Sequence, residues 1–175
     1  DVLSEIVAHK RIEVERQKEL VPLSEIEKQL SQNRDIVFHS LKGSLERSKT
    51  GIISEFKRRS PSKGWLHQDA DVNAITKEYE IAGASALSVL TDEKYFGGTI
   101  TDLRTAVNNV QIPVMRKEFV VDEYQIYEAK LAGASAILLI AAAITLDESK
   151  RFTELAQQLK LDVLLELHDE KETDY

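Results

Sequence analysis

The sequence has no cysteine, so it can build no disulfide framework, no thiolate nucleophile and no cysteine-ligated zinc site. Histidine is scarce as well: His9, His39, His67 and His168 are scattered, without the spacing that puts two imidazoles on one helix face, so no metal site is expected. Three prolines and seven glycines are too few for a collagen-like or low-complexity chain. No apolar run approaches the ~18 residues of a membrane span. The longest, 136–144, reads as a buried strand followed by a turn. There is no signal-peptide pattern after Asp1, and the cytoplasm is the expected location.

What is present suits one domain of ordinary size. The chain has 175 residues, of which 42% are hydrophobic, enough for a core. Its net charge of −7 repels nucleic acid and anionic membranes, so neither is an expected partner. One local basic cluster, Lys57 to Lys63, runs against that balance.

Residues 2–20 read as an amphipathic helix through Val2, Leu3, Ile6, Val7 and Val14, stopped by Pro22. Ser24 with Glu27 has capping-box spacing and predicts a second helix. Residues 39–48 predict a third, interrupted at Gly43. From Gly51 the pattern changes. Strands are expected at 51–57, 86–91, 114–118, 136–140 and 163–167, with helices at 72–82, 101–108, 123–132 and 146–160. Asp122 is the expected N-cap of the third of these. Nearly continuous apolar strands alternating with helices imply a parallel sheet covered on both faces. The stretch 81–90 is echoed at 131–140, and five residues, Ala-Gly-Ala-Ser-Ala, are identical in each. Gly83 and Gly133 then fall where a helix end wants positive φ.

Charge inside the strands is the feature that points to chemistry. Side chains two apart share a strand face. Ile53, Glu55 and Lys57 share one, Met115, Lys117 and Phe119 another, and Leu164 and Glu166 a third. Each set turns charged or aromatic at its C-terminal end, which in parallel α/β folds is the mouth of the site. Two lysines and two glutamates in one cup would suit proton transfer. Structural ion pairs between strand ends are the alternative. Arg116 and Glu118 should face the other way, toward helices. The loop 58–64 carries basic, hydroxyl and glycine residues that suit an anion. Tyr95-Phe96 before Gly97-Gly98 reads equally as an aromatic flap or as a packed turn.

These segments together resemble one family. Glu55 to Gly64 (EFKRRSPSKG), Ser88 to Gly98 (SVLTDEKYFGG), Arg116 to Phe119 with Asp122 to Tyr127, and Leu165 to Asp169 are similar, in order and spacing, to the signature segments of indole-3-glycerol-phosphate synthases. The resemblance implies a TIM (β/α)8 barrel, truncated here to roughly five parallel strands. Residues 1–48 would form an N-terminal helical extension and 49–175 the first five βα units of a single barrel domain. It implies a lyase of tryptophan biosynthesis that needs no cofactor or metal and takes a small anionic phosphosugar. By the same resemblance Lys117 is the general acid, Glu166 transfers protons in later steps, Lys57 binds anions and serves in dehydration, and Glu55 orients the site. Ser60, Phe96 and Phe119 would touch substrate. Three further βα units of the family, with its phosphate-gripping loops, do not occur in these 175 residues. Turnover by this stretch alone is therefore expected to fall at least ~10³-fold below that of the longer enzyme. Bare sheet edges would favour self-association, and re-pairing into an open flavodoxin-like sheet is a further alternative.

Overall fold

A computed structural model describes residues 1–33 and 37–175. Three helices come first: α1 (Val2–Leu20), α2 (Leu23–Gln32) and α3 (Leu41–Arg47). Then strands and helices alternate: β1 (Ile53–Phe56), a small hairpin of β2 (Arg59–Ser60) and β3 (Gly64–Trp65), α4 (Val72–Ile81), β4 (Ala86–Leu90), α5 (Ile100–Asn109), β5 (Val114–Lys117), α6 (Glu123–Leu131), β6 (Ala136–Ile140), α7 (Leu146–Gln158) and β7 (Asp162–Glu166). The hairpin was not expected from the sequence; the turn expected after the 136–140 strand is a 3₁₀ turn at Ala141–Ala143.

The five long strands form one parallel sheet in the order β1-β4-β5-β6-β7. Every crossover steps to the next strand in the same direction. A flavodoxin-like sheet must reverse its strand order at a switch point; this one does not, and its order is that of a barrel wall.

Strand alternation divides the apolar residues between two cores. Phe56, Leu87, Val89, Val114, Ile137 and Leu139 point outward and pack on Leu103, Ile126, Ala129 and Phe152 of the crossover helices. Ala86, Met115, Ala136, Leu138 and Ile140 point inward, where Leu41 of α3 meets them. Asp162, the first residue of β7, accepts from Ser40 Oγ and Lys42 N–H, each at 3.1 Å, and so fixes the start of α3 under the sheet. That short helix closes the N-terminal end of the inner face and leaves the C-terminal end open. α1 and α2 pack elsewhere: Val14 and Ile26 form a third apolar cluster with Val121 and Tyr124, against α6.

The echoed segments are two copies of one turn. Gly83 (φ +95°) and Gly133 (φ +87°) follow the last helical residues. Ala84 N–H reaches Tyr79 C=O and Ala134 N–H reaches Ala129 C=O, both at 3.0 Å, the six-residue closure of a Schellman motif. Each turn delivers the chain straight into a buried strand.

Two local expectations need correction. Ser24 does not cap α2. Pro22 occupies the N-cap with extended backbone (ψ 150°), no side chain bonds there, and Ser24 lies within the first turn of a helix that begins at Leu23. Gly43 does not interrupt α3; the helix runs through it, with Ser40 Oγ accepting the Gly43 N–H at 3.0 Å. The Asp122 cap is as expected, and Gln125 completes a capping box with it.

Candidate active site

The open end of the inner face carries a three-residue charge cluster. Glu55 on β1 is its hub. Lys117, the last residue of β5, reaches back across β4 and places Nζ 2.9 Å from Glu55 Oε2. Lys57, just past β1, places Nζ 3.5 Å from Oε1. Ser88 of β4 donates to Oε2 at 3.4 Å from the strand between them. Each carboxylate oxygen therefore faces one ammonium. Two cations against one anion leave a local positive charge in a chain that is acidic overall, and that sum attracts anions. The three side chains are about one-third exposed, at 30%, 32% and 33%, so a ligand can reach them.

Glu166 ends β7 on the same sheet face, in register with Ile140 of β6. It stands two strands from Lys117, roughly 10 Å at the usual strand spacing. Among the described residues its ionic partner is His168, with Nε2 at 2.7 Å from Oε1. The four ionisable groups thus share a rim, but only three of them touch. Phe96 and Phe119 stand at the same end, ring centroids 5.8 Å apart and tilted by 35°. Ser60 is buried in the hairpin, where its Oγ accepts the Lys63 N–H at 3.3 Å.

The arginines of the basic loop are committed within the protein. Arg58 donates to Ala70 C=O, Gly97 C=O and both oxygens of Asp102, and lies over the Phe56 ring. Arg59 donates to Lys94 C=O at 2.7 Å and stacks on Trp65. Arg58 is thereby spent on Asp102 and two carbonyls, whereas Arg59 keeps its Nε without a hydrogen-bond partner among the described residues. The Tyr95-Phe96 segment is a packed turn: Asp92 Oδ1 accepts both backbone N–H groups, and Gly98 N–H returns to Asp92 C=O at 2.8 Å. Gly98 cannot be larger, because a Cβ there would land on the Leu90 carbonyl.

Behind the sheet lies a second charge cluster. Arg116 and Glu118 point away from the open face, as expected from strand alternation. Arg116 donates to Thr91 Oγ1 at 3.0 Å, to Gln125 C=O at 2.9 Å and to Glu128 at 3.3 Å. Lys10 of α1 sits within 2.9 Å of Asp92 and 3.3 Å of Glu118, at 1% exposure. Burial alone would push its ammonium down; the Glu118 and Asp92 carboxylates outweigh that and hold it above the ordinary lysine value.

Sequence reasoning passed over Ser88, Asp92 and Lys10. Lys10 had a legible signal, since it falls between Ile6 and Val14 on the buried stripe of α1. Ser88 interrupts an otherwise apolar strand on the face that bears Glu55. Asp92 had no such mark.

Comparison with known proteins matches this geometry to one family. A family model described as indole-3-glycerol phosphate synthase matches residues 3–175. An indole-3-glycerol phosphate synthase of Bacteroides thetaiotaomicron is 49% identical over 175 residues, covering all of this chain and 66% of the relative. Those of Neisseria meningitidis serogroup B and Caldanaerobacter subterraneus subsp. tengcongensis are 42% and 44% identical over 98% of the chain, which covers 67% and 65% of them. The chain spans about two thirds of the length of these relatives. A parallel sheet in unbroken order, charged at its C-terminal rim and matched along nearly its whole length, makes this chain a member of the indole-3-glycerol phosphate synthase family.

Proposed function

We propose that the protein carrying this chain converts 1-(2-carboxyphenylamino)-1-deoxyribulose 5-phosphate into indole-3-glycerol phosphate, with loss of CO₂ and water. The observation that carries the reading is the Lys117–Glu55–Lys57 cluster on the open rim. Ring closure needs an acid at the ribulose carbonyl, and Lys117, paired with Glu55 at 2.9 Å, is the candidate. Dehydration needs a second donor and an acceptor. Lys57 and Glu166 stand on either side of Lys117 for those roles, and the gap before Glu166 leaves room for the sugar chain. Phe96 and Phe119, whose rings pack on each other, offer an apolar surface to the flat anthranilate ring. Ser60 lies in the hairpin beside Lys57 and is assigned to substrate contact. The net positive cluster suits a substrate bearing a carboxylate and a phosphate.

The test is direct. Full-length protein given this substrate should release one CO₂ for each indole-3-glycerol phosphate, followed by indole fluorescence. Absence of product rejects the reading. A borohydride-trapped adduct on Lys117 or Lys57 would indicate Schiff-base chemistry instead. We also assign self-association to the free edges of β1 and β7 in the 175-residue chain, where Ile52 and Leu164 are exposed. A monomeric mass in solution would exclude it.

A further inference from the structure

Lys10 is the most deeply buried cation of the molecule's rear cluster, and the proposed chemistry does not use it. Its position is informative because of what its partners hold. Asp92, fully buried, faces Lys10 Nζ with Oδ2 at 2.9 Å. Its Oδ1 accepts the backbone N–H of Tyr95 at 2.7 Å and of Phe96 at 3.3 Å. Glu118, 2% exposed, faces the same Nζ with Oε1, which also accepts the Phe119 N–H at 2.8 Å. Its Oε2 accepts from Thr91 Oγ1 at 2.7 Å. Gln125 fixes the other side of Phe119 by donating to its carbonyl at 2.9 Å. One ammonium thus joins two carboxylates; Asp92 holds the backbone of Tyr95 and Phe96, and Glu118 holds that of Phe119. The rings of Phe96 and Phe119 are 5.8 Å apart. The remaining bond from Lys10, to Glu13 Oε1 at 2.9 Å, stays within α1.

We infer that Lys10 is a positioning residue: α1 inserts it between Asp92 and Glu118 to hold Phe96 and Phe119 against each other, and so shapes the aromatic surface that receives the substrate's ring. This rests on the function proposed above, although its first test does not. Loss of the ammonium would leave two buried carboxylates facing each other, and their repulsion drives the segments 91–98 and 118–121 apart. The Phe96–Phe119 ring contact is pulled apart while the Glu55–Lys117 pair, carried by β1 and β5 rather than by these two segments, keeps its distance.

The experiment uses the full-length protein with Lys10→Met and Lys10→Arg. Amide hydrogen exchange at Phe96 and Phe119 should speed up by about 10-fold or more in Lys10→Met, with Leu138 and Leu139 of β6 unchanged. Equal acceleration at β6, or none at Phe96 and Phe119, overturns the inference whether or not the protein is a synthase. In turnover, Lys10→Met should raise KM about 10-fold with kcat within about threefold, because ring binding is lost rather than proton transfer. A merely structural role would lower the folded fraction, reducing apparent kcat with KM unchanged, and that outcome also overturns it. Lys10→Arg keeps the charge and should restore KM to within about threefold. If Lys10→Met does not fold, Lys10→Met with Glu118→Gln removes one of the two facing charges and with it the repulsion: exchange at Phe96 and Phe119 and KM should then stay within about threefold of the parent, and a rise of about 10-fold in either overturns the inference.

Discussion

Arg116, Lys117 and Glu118 are consecutive on one strand end, yet they belong to two different kinds of site. Arg116 and Glu118 turn to the rear, where they are 5% and 2% exposed and almost every polar atom has a partner. Lys117 turns to the open face, one-third exposed, with a single carboxylate partner. Residue type does not separate the two clusters; burial and saturation do. A saturated buried network has no donor left for a ligand, and removing one member strands the others. A half-solvated cluster with spare donors contributes little to stability and can serve a substrate.

Each of the following changes breaks or sharpens that contrast. The largest stability effect belongs to the rear cluster. Arg116→Met should cost about 3–5 kcal/mol in urea unfolding, because Glu118 and Glu128 lose a buried counter-charge. A cost under about 1 kcal/mol would mean that the rear network is not structural. Gly98→Ala comes next, at about 2–3 kcal/mol, since the new methyl group meets the Leu90 backbone and the turn behind Phe96 must move. Differential scanning calorimetry reads it as a lowered Tm.

Glu80 is intermediate between the two clusters: 17% exposed, and bonded to Lys77 and to the Gln111 and Ile112 N–H groups. Burial alone would raise its pKa; the Lys77 and backbone bonds outweigh that and hold it below the ordinary carboxylate value of 4.5. Its contribution is therefore complete above pH 4.5 and is lost as pH falls through the depressed folded pKa. Glu80→Gln should lose about 1 kcal/mol at pH 7 relative to the parent, and the difference should shrink toward pH 3. Urea titrations at the two pH values check this. The smallest effect belongs to Ser24→Ala, under about 0.5 kcal/mol by thermal melt, because Ser24 caps nothing; a true N-cap would cost about 1 kcal/mol.

Much of this was legible in the sequence. All five long strands and the four crossover helices announce themselves through alternating apolar and helical runs, with glycine turns after α4 and α6, and the period of two separates Lys117 from Arg116 without coordinates. The Glu55, Lys57 and Lys117 set follows from counting along strands. Contacts between segments far apart in the chain were not legible. Nothing local to Asp92 shows that its carboxylate meets a helix eighty residues earlier. The lysine at position 10 looks like a solvated charge until the buried stripe of α1 is drawn through it. Arg58 reads as available to an anion because its acceptors, Asp102 at the start of α5 and the carbonyls of Ala70 and Gly97, are brought near only by the fold. Ser24 misled because serine at capping-box spacing is a common cap, but Pro22, two residues earlier, holds the N-cap and the helix already begins at Leu23.

The front half of the comparison meets its most direct test in Lys117→Ala of the full-length protein, with turnover and urea stability measured on the same preparation. The expected result is a kcat lower by about 10²–10⁴, with KM little changed and stability within about 1 kcal/mol of the parent. Retained turnover, or a stability loss as large as that of Arg116→Met, would show that Lys117 is one more structural ion and would contradict the assignment of the open rim to chemistry.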